Sequence, residues 1–192
     1  MSAHASTLPN LPKKLISSQV FGMLVFVFTE VMFFTALISA FLVIKAGNPS
    51  WQLPHGITLP VYATLFNTLL LLASGGTLVW GYTNLQKGVP LEKVRTLILQ
   101  STLLGGLFVG FQGYEWIQLI SFGMTMHSSI FGACFFLLIG THGLHALLGV
   151  IYLGYTFFSS KQSLDSANLA ALSVFWLFIV GIWPILYGLV YF

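Results

Sequence analysis

Charged side chains are scarce in this sequence. Seven Lys and Arg and four Asp and Glu make up only 6% of 192 residues, whereas 57% are apolar. Soluble domains carry about 25% charged residues. So few charges cannot cover a water-exposed surface, which excludes a soluble globular enzyme, a disordered chain and a nucleic-acid-binding protein. The formal charge of +3 comes from Lys and Arg residues that form no basic run. We interpret these residues as determinants of membrane topology and not as a nucleic-acid-binding surface.

Cysteine is equally scarce, because Cys134 is the only one in the chain. A single cysteine excludes an internal disulfide. It also excludes sites that need two thiolates, such as a zinc ribbon, an iron–sulfur cluster or a dinuclear copper centre.

Long apolar runs are what the sequence has in abundance. A bilayer core about 30 Å thick needs roughly 20 mostly apolar residues per helix. The runs do not alternate between apolar and polar residues as β-barrel strands do. They predict an all-α polytopic membrane protein with an N-terminal segment, residues 1–19, and one five-helix domain, residues 20–192. The predicted spans are Val20–Ile44, Pro60–Tyr82, Val94–Ile120, Ser128–Phe158 and Ala167–Tyr191.

The positive charges predict the orientation of the bundle, since cytoplasmic loops carry an excess of Lys and Arg. An N-terminus in the cytoplasm and a C-terminus outside leave only Lys45 on the outer side. We interpret Trp51 in the first outer loop as an interfacial anchor. The residues on the inner side are then Lys13, Lys14, Lys87, Lys93, Arg95 and Lys161.

Two acidic residues, Glu30 and Glu115, fall inside predicted spans. Glu30 is about ten residues into the first helix, hence roughly 15 Å deep. A carboxylate at that depth costs several kcal/mol unless it is neutral or paired. Glu30 is either a proton-linked or lipid-headgroup-binding carboxylate, or a protonated side chain that donates one interhelical hydrogen bond. Its position alone does not choose between them.

His142 and His145 are three residues apart on the fourth predicted helix, so both rings lie on one face. They could bind a metal or share a polar partner. A metal needs further ligands, and Cys134 lies about 16 Å from His145 along the helix axis. The pattern favours hydrogen bonds to neighbouring helices or to a lipid, and we predict neither a metal site nor a catalytic residue.

Other polar residues and small residues within the spans indicate helix packing. Asn67, Ser74 and Gln112 can form interhelical hydrogen bonds of about 0.5–2 kcal/mol each. We expect the phenylalanines to face lipid or partner subunits. The glycines for which we predict close helix contacts are Gly106, Gly110 and Gly113 on the third helix and Gly140, Gly143 and Gly149 on the fourth.

Four motifs, in order on four successive helices, carry a family resemblance. They are T-E-V-M-F-F within Gly22–Phe34, N-T-L-L-L-L-A-S-G within Phe66–Gly75, Q-G-Y-E-W at Gln112–Trp116, and F-F-L-L-I-G-T-H-G-L-H within Gly132–His145. Together they resemble haem–copper oxidase subunit III over roughly residues 20–192.

The sequence departs from that family pattern in two places. Larger members have seven helices, and this chain corresponds to their last five, so a partner subunit would supply the other two. In the last helix, at Phe175–Trp183, Leu177 and Val180 stand where the family pattern has a histidine and an acidic residue.

The resemblance implies a non-catalytic accessory subunit of a proton-pumping terminal oxidase, which reduces dioxygen to water in aerobic respiration. Such a subunit supports the catalytic subunit I, its proton uptake and bound phospholipids, alongside subunit II and small subunits. The haems and copper belong to partner subunits, and the resemblance implies no cofactor in this chain. It also implies a multi-pass location in the bacterial cytoplasmic (inner) membrane.

For the site residues, the resemblance implies helix-bonding and lipid-cleft roles; these residues are Glu30, Asn67, Gln112, Glu115, His142 and His145. Two alternatives stay open. One is an accessory subunit of a nitric oxide reductase, and the other is an autonomous proton channel that depends on Glu30. The electron donor, cytochrome c or quinol, is not predicted.

Overall fold

A computed structural model describes residues 17–49, 51, 59–161 and 163–192. All five predicted spans are α-helices, each long and apolar enough to cross a membrane, which confirms the fold class. Most extend a few residues beyond the apolar runs, because polar end turns continue the backbone hydrogen bonding. The helices are α1 (Ser18–Gly47), α2 (Val61–Gln86), α3 (Leu91–Ser121), α4 (Ile130–Ser159) and α5 (Ser166–Tyr191).

Local sequence sets where each helix begins. Ser17, Ser129 and Asp165 cap α1, α4 and α5, each accepting a hydrogen bond from a first-turn backbone N–H at 3.3, 2.9 and 3.0 Å. Pro60 and Pro90 precede α2 and α3, where a missing N–H costs nothing because the first helical amides have no intrahelical partner. Short connections join α2 to α3, α3 to α4 and α4 to α5, and the two helices of each of these pairs pack against each other, whereas α1 and α2 are not in contact.

Contacts at the helix ends fix their relative directions. Gln19 at the start of α1 donates to Asp165 at the start of α5 (3.4 Å), and Lys45 near the end of α1 donates to the Leu189 carbonyl near the end of α5 (3.4 Å). These helices are therefore parallel. Arg95 in the first turns of α3 donates to a carbonyl in the last turn of α4 at 3.5 Å, so that pair is antiparallel.

This arrangement groups the described basic residues as the sequence predicts. Lys87, Lys93, Arg95 and Lys161 lie at the end of the bundle where α1 begins, and Lys45 lies at the opposite end. The orientation across the membrane stays a prediction. Most of the predicted N-terminal segment, including both of its lysines, lies outside the described residues.

Helix α5 is the centre of the bundle, since it packs against α1, α2 and α4. In the most apolar 18-residue window of each helix, 56% of α5 is buried but only 11% of α1. Helix α1 lies at the periphery and exposes large apolar side chains, among them Phe21, Phe28 and Met32.

The expectation that the phenylalanines face lipid is wrong for several of them. Phe34, Phe108 and Phe135 are at most 1% exposed and belong to the core. An aromatic ring buries a large area and packs edge-to-face against other rings. Phe108, for example, meets the ring of Trp183 at a centroid distance of 5.0 Å.

Two tight glycine contacts surround Trp176, which is completely buried. A Cβ added at Gly149 would lie 2.6 Å from its indole ring, and one at Gly105 would lie 2.7 Å from it. The prediction for Gly149 is confirmed, whereas Gly105 was not predicted. Helix periodicity does not reveal which face meets a bulky neighbour.

The predicted close contacts at Gly106, Gly110 and Gly113 are wrong. A Cβ at Gly106 would approach no atom closer than 4.0 Å, and Cβ atoms at Gly110 and Gly113 would meet nothing within 4 Å. Cβ atoms at Gly140 and Gly143 would lie at an ordinary contact distance of 3.5 Å from the ring of Trp116. The spacing of small residues is therefore a weak guide to where helices touch in this bundle.

Candidate functional site

Glu30 and His145 meet between α1 and α4. Glu30 Oε2 lies 3.0 Å from His145 Nε2, and each side chain is 15% exposed. The oxygen is at ion-pair distance but lacks the alignment of a regular hydrogen bond. The contact therefore joins the most peripheral helix to the bundle mainly by electrostatic attraction. Position in the sequence indicated that Glu30 needs a partner but did not identify it.

The other ring nitrogen of His145 limits how the pair can be protonated. His145 Nδ1 lies 2.8 Å from the carbonyl oxygen of Thr141 in the preceding turn. A carbonyl oxygen only accepts, so Nδ1 must carry a hydrogen. Because net charge is costly inside a membrane, a pair without net charge is favoured; in such a pair one further proton lies between Nε2 and the Glu30 carboxyl.

A second group of predicted residues joins α2 to α3. Asn67 Nδ2 donates to the carbonyl oxygen of Phe108 at 3.1 Å and lies 3.5 Å from Gln112 Oε1. Gln112 Nε2 in turn donates to Glu115 Oε2 at 3.3 Å, and Thr64 Oγ1 donates to the same oxygen at 3.1 Å. These bonds form one buried polar network near one end of the bundle.

A third polar cluster is centred on Ser74 of α2. Its hydroxyl donates to the Ser101 carbonyl at 2.8 Å, and the Ser101 hydroxyl donates to the Ser74 carbonyl at 2.9 Å. Ser74 Oγ also accepts from Trp176 Nε1 at 3.0 Å. The sequence indicated Ser74 as a buried polar group but missed Ser101 and Trp176. Both could have been found only from the three-helix packing.

His142 does not share the partner of His145. Its ring is 1% exposed and stacks on Trp183 with a centroid distance of 4.9 Å and an interplanar angle of 28°. Neither of its nitrogens has a hydrogen-bond partner within the described part of the chain. The hypothesis of a shared polar partner is therefore wrong, because the two rings project to different neighbouring helices.

Of the two departures in the last helix, the one at Val180 has a packing explanation. Val180 is buried, and its side chain lies 3.1 Å from where a Cβ of Gly75 on α2 would be. Leu177 is 41% exposed on the bundle surface. Val180 thus makes an apolar contact, and Leu177 forms apolar surface, at positions where the family pattern has polar residues.

Side chains that could bind a metal do not converge. Among residues 17–49, 51, 59–161 and 163–192, no three His, Cys, Asp or Glu side chains lie close enough to hold an ion. His145 is engaged by Glu30 and Thr141, and His142 is enclosed by aromatic rings. His142 and His145 are therefore not arranged to bind one ion together.

Replacing Ser74 by alanine is expected to lower the free energy of unfolding by about 1 kcal/mol, because Trp176 Nε1 would lose its acceptor. Thermal unfolding of the full chain in mild detergent measures this. Thr77→Ala is the matched control on α2. The Thr77 hydroxyl donates to the Ser74 carbonyl at 2.9 Å, so its bond lies within its own helix. Equal midpoints for the two variants would contradict the prediction.

Comparison with known proteins gives consistent matches over nearly the whole chain. The family model described as cytochrome c oxidase subunit III matches residues 8–192. Cytochrome c oxidase subunit 3 of Corynebacterium diphtheriae is 32% identical over 179 residues, covering 89% of this chain and 86% of the relative. The Thermostichus vulcanus protein of that name is 27% identical, covering 90% and 86%. The Strongylocentrotus purpuratus protein is 32% identical, covering 89% and 68%.

Proposed function

This chain belongs to the cytochrome c oxidase subunit III family and is an accessory subunit of a haem–copper oxidase, and we propose that it is a non-catalytic partner of the catalytic subunit I in a bacterial inner membrane. The oxidase would reduce dioxygen to water and pump protons. Subunit II and small subunits complete the proposed complex, and the haems and copper would belong to the partner subunits.

The observation that favours an accessory role is that the predicted polar residues form contacts between helices. Glu30 and His145 join α1 to α4, and Asn67, Gln112 and Glu115 join α2 to α3. Polar contacts between membrane helices fix which faces meet, because the lipid offers no competing partners. Five of the six candidate residues thus stabilise the bundle that the catalytic subunit would contact.

The surface of the bundle supports the proposed association with phospholipids and other subunits. Helix α1 is the least buried helix and carries exposed Phe21, Phe28 and Met32. We expect acyl chains and partner helices to cover this apolar surface. Proton uptake would be sustained indirectly, by holding the catalytic subunit and its surrounding lipid in place.

Copurification tests the proposal. An affinity-tagged copy of this chain, extracted from its native membrane with a mild detergent, is expected to carry a haem-containing subunit I and oxygen-reducing activity. Haem absorption, subunit mass spectrometry and an oxygen electrode measure the three properties. Recovery of a stable haem-free chain from a membrane rich in oxidase would contradict the proposal.

The same preparation separates the two alternatives. Copurified nitric oxide reductase subunits would favour the first, although the relatives reported above carry the oxidase name. A proton leak from liposomes that contain only this chain, abolished by Glu30→Gln, would favour the second.

A further inference from the structure

Arg95, the single arginine of the sequence, has no counter-ion in the part of the chain that the structure describes. All four acidic residues of the chain lie in that part, and none of their carboxylate oxygens comes within 4.0 Å of the guanidinium nitrogens. The side chain is partly buried, and arginine does not lose its charge in proteins. A charge withdrawn from water without a partner is costly, so an anion from outside this chain would be stabilising here.

The guanidinium of Arg95 is held in place at the boundary between α3 and α4. It lies 5.0 Å from the ring centroid of Phe157, and Nη2 donates to the Phe157 carbonyl oxygen at 3.5 Å. Nε is enclosed and unbonded among the described residues, whereas Nη1 is unbonded there but accessible. Arginine recognises phosphate and carboxylate groups through such N–H groups. The accessible side of the guanidinium is therefore oriented before any ligand arrives.

The depth of Arg95 in the bundle indicates which anion is available. Arg95 is four residues after the first residue of α3, or roughly 6 Å along the helix axis, next to the start of the predicted apolar span at Val94. Lys87 and Lys93 lie at the same end of the bundle, which is the predicted cytoplasmic end. Basic residues between membrane helices at that surface bind anionic lipid headgroups. This location favours a lipid phosphate over a carboxylate of another protein.

An apolar groove of about 610 Å³ lies further along α3 in the direction of the membrane interior. Its lining begins at Thr102, seven residues or roughly 10 Å beyond Arg95, and nearly on the same side of the helix because seven residues are close to two turns. Its walls carry the exposed side chains of Leu103, Leu107 and Phe111. A lipid acyl chain runs about 15 Å from the membrane surface to the midplane. A chain whose phosphate is at Arg95 therefore enters this groove.

We propose that Arg95 and this groove bind one anionic phospholipid, with the phosphate on the guanidinium and an acyl chain along α3. The unpaired charge selects the headgroup, and the apolar walls accept the chain. The volume of the groove is within the range of about 300–1,000 Å³ that is common for ligand sites. The proposal rests on the phospholipid association in the proposed function and gives it a site and a headgroup charge. Binding is measured on this chain alone, so its outcome is separate from whether an oxidase copurifies.

Two pairs of variants separate the headgroup from the acyl chain. Arg95→Gln removes the guanidinium, and Lys93→Gln is its control because it removes an equal charge from an exposed residue two positions earlier. Gly110→Leu fills the groove, since Gly110 is a lining residue and a Cβ added there meets no atom within 4 Å. Gly76→Leu on α2 is its control, because a Cβ there also meets no atom within 4 Å and Gly76 does not line this groove.

The test is native mass spectrometry of the purified full chain in detergent, titrated with phosphatidylglycerol or with phosphatidylcholine that carries the same acyl chains. The wild type and both control variants are expected to bind one phosphatidylglycerol about fivefold more tightly than phosphatidylcholine. Arg95→Gln is expected to lose this preference, and Gly110→Leu is expected to bind both lipids more weakly. Inorganic phosphate is not expected to displace phosphatidylglycerol, because it has no chain to occupy the groove.

Several results would overturn the proposal. These are a wild type without the preference, an unchanged preference in Arg95→Gln, an equal loss in Lys93→Gln, unchanged binding in Gly110→Leu, and displacement by inorganic phosphate. If Arg95→Gln bound phosphatidylglycerol normally but no longer copurified a partner subunit, the guanidinium would belong to a protein carboxylate instead. Circular dichroism and thermal midpoints compare the folding of each variant with that of its control. Gly110→Leu tests the site independently if Arg95→Gln is less stable.

Discussion

Replacing His145 by phenylalanine is expected to lower the free energy of unfolding of this chain by about 3 kcal/mol or more. The change leaves Glu30, 3.0 Å from the lost Nε2 atom, without its partner inside the membrane. The aromatic contact with Phe34, at a centroid distance of 5.3 Å, can survive because phenylalanine fills similar space. Unfolding of the full chain in mild detergent measures the loss.

Two further variants separate the pair from general damage. The double variant Glu30→Leu with His145→Phe is expected to recover much of the stability, since no unpaired polar group remains.

Glu30→Gln keeps a neutral hydrogen-bonding side chain beside His145. We expect it to assemble with the oxidase and retain most of its initial turnover. Complete loss of oxygen reduction in an intact complex would show a direct part for Glu30 in proton delivery.

Replacing Gly149 by alanine is expected to lower the free energy of unfolding by about 1–3 kcal/mol. The new Cβ would lie 2.6 Å from the Trp176 ring and 3.1 Å from the Ile179 side chain. The ring cannot move aside easily, because Gly105 packs against it and its Nε1 donates to Ser74 Oγ at 3.0 Å. Thermal unfolding and the near-ultraviolet circular dichroism of the tryptophans measure the effect.

Gly154→Ala on the same helix is the matched control. Its Cβ would meet only a Thr102 methyl group at 3.8 Å, an ordinary contact distance. Because alanine favours helix more than glycine by about 1 kcal/mol, this variant is expected to be as stable as the wild type or more stable. A Gly149→Ala protein with the stability of Gly154→Ala would mean that Trp176 is not tightly held.

The candidate site could be predicted in part. The sequence singled out Glu30, Asn67, Gln112, Glu115 and His145, and the structure places each of them in a polar contact with another helix or within its own polar network. A polar side chain within an apolar run needs a partner whatever the fold, so the sequence alone is enough to single it out. The partner itself depends on which helices are neighbours, and that information is not local in the chain.

The two histidines illustrate that limit. Their spacing put both on one helical face, where they could bind a metal or share a polar partner, and the pattern favoured hydrogen bonds to neighbouring helices or to a lipid. Instead His145 meets Glu30 of α1, while His142 is enclosed by Trp183 of α5 and Phe108 of α3. The roughly 60° between residues three apart on a helix is enough to direct them to different neighbours.

By itself the sequence determined the five spans, the all-helical class and the need of buried polar groups for partners. Lipid imposes these properties, because an apolar solvent admits only a closed backbone hydrogen-bond ladder and few charges. The tertiary structure alone decided that Glu30 pairs with His145, that Gly105 and Gly149 enclose Trp176, and that His142 packs against the rings of Phe108 and Trp183. Such contacts depend on how complete helix faces pack together, so residue spacing within one helix cannot specify them.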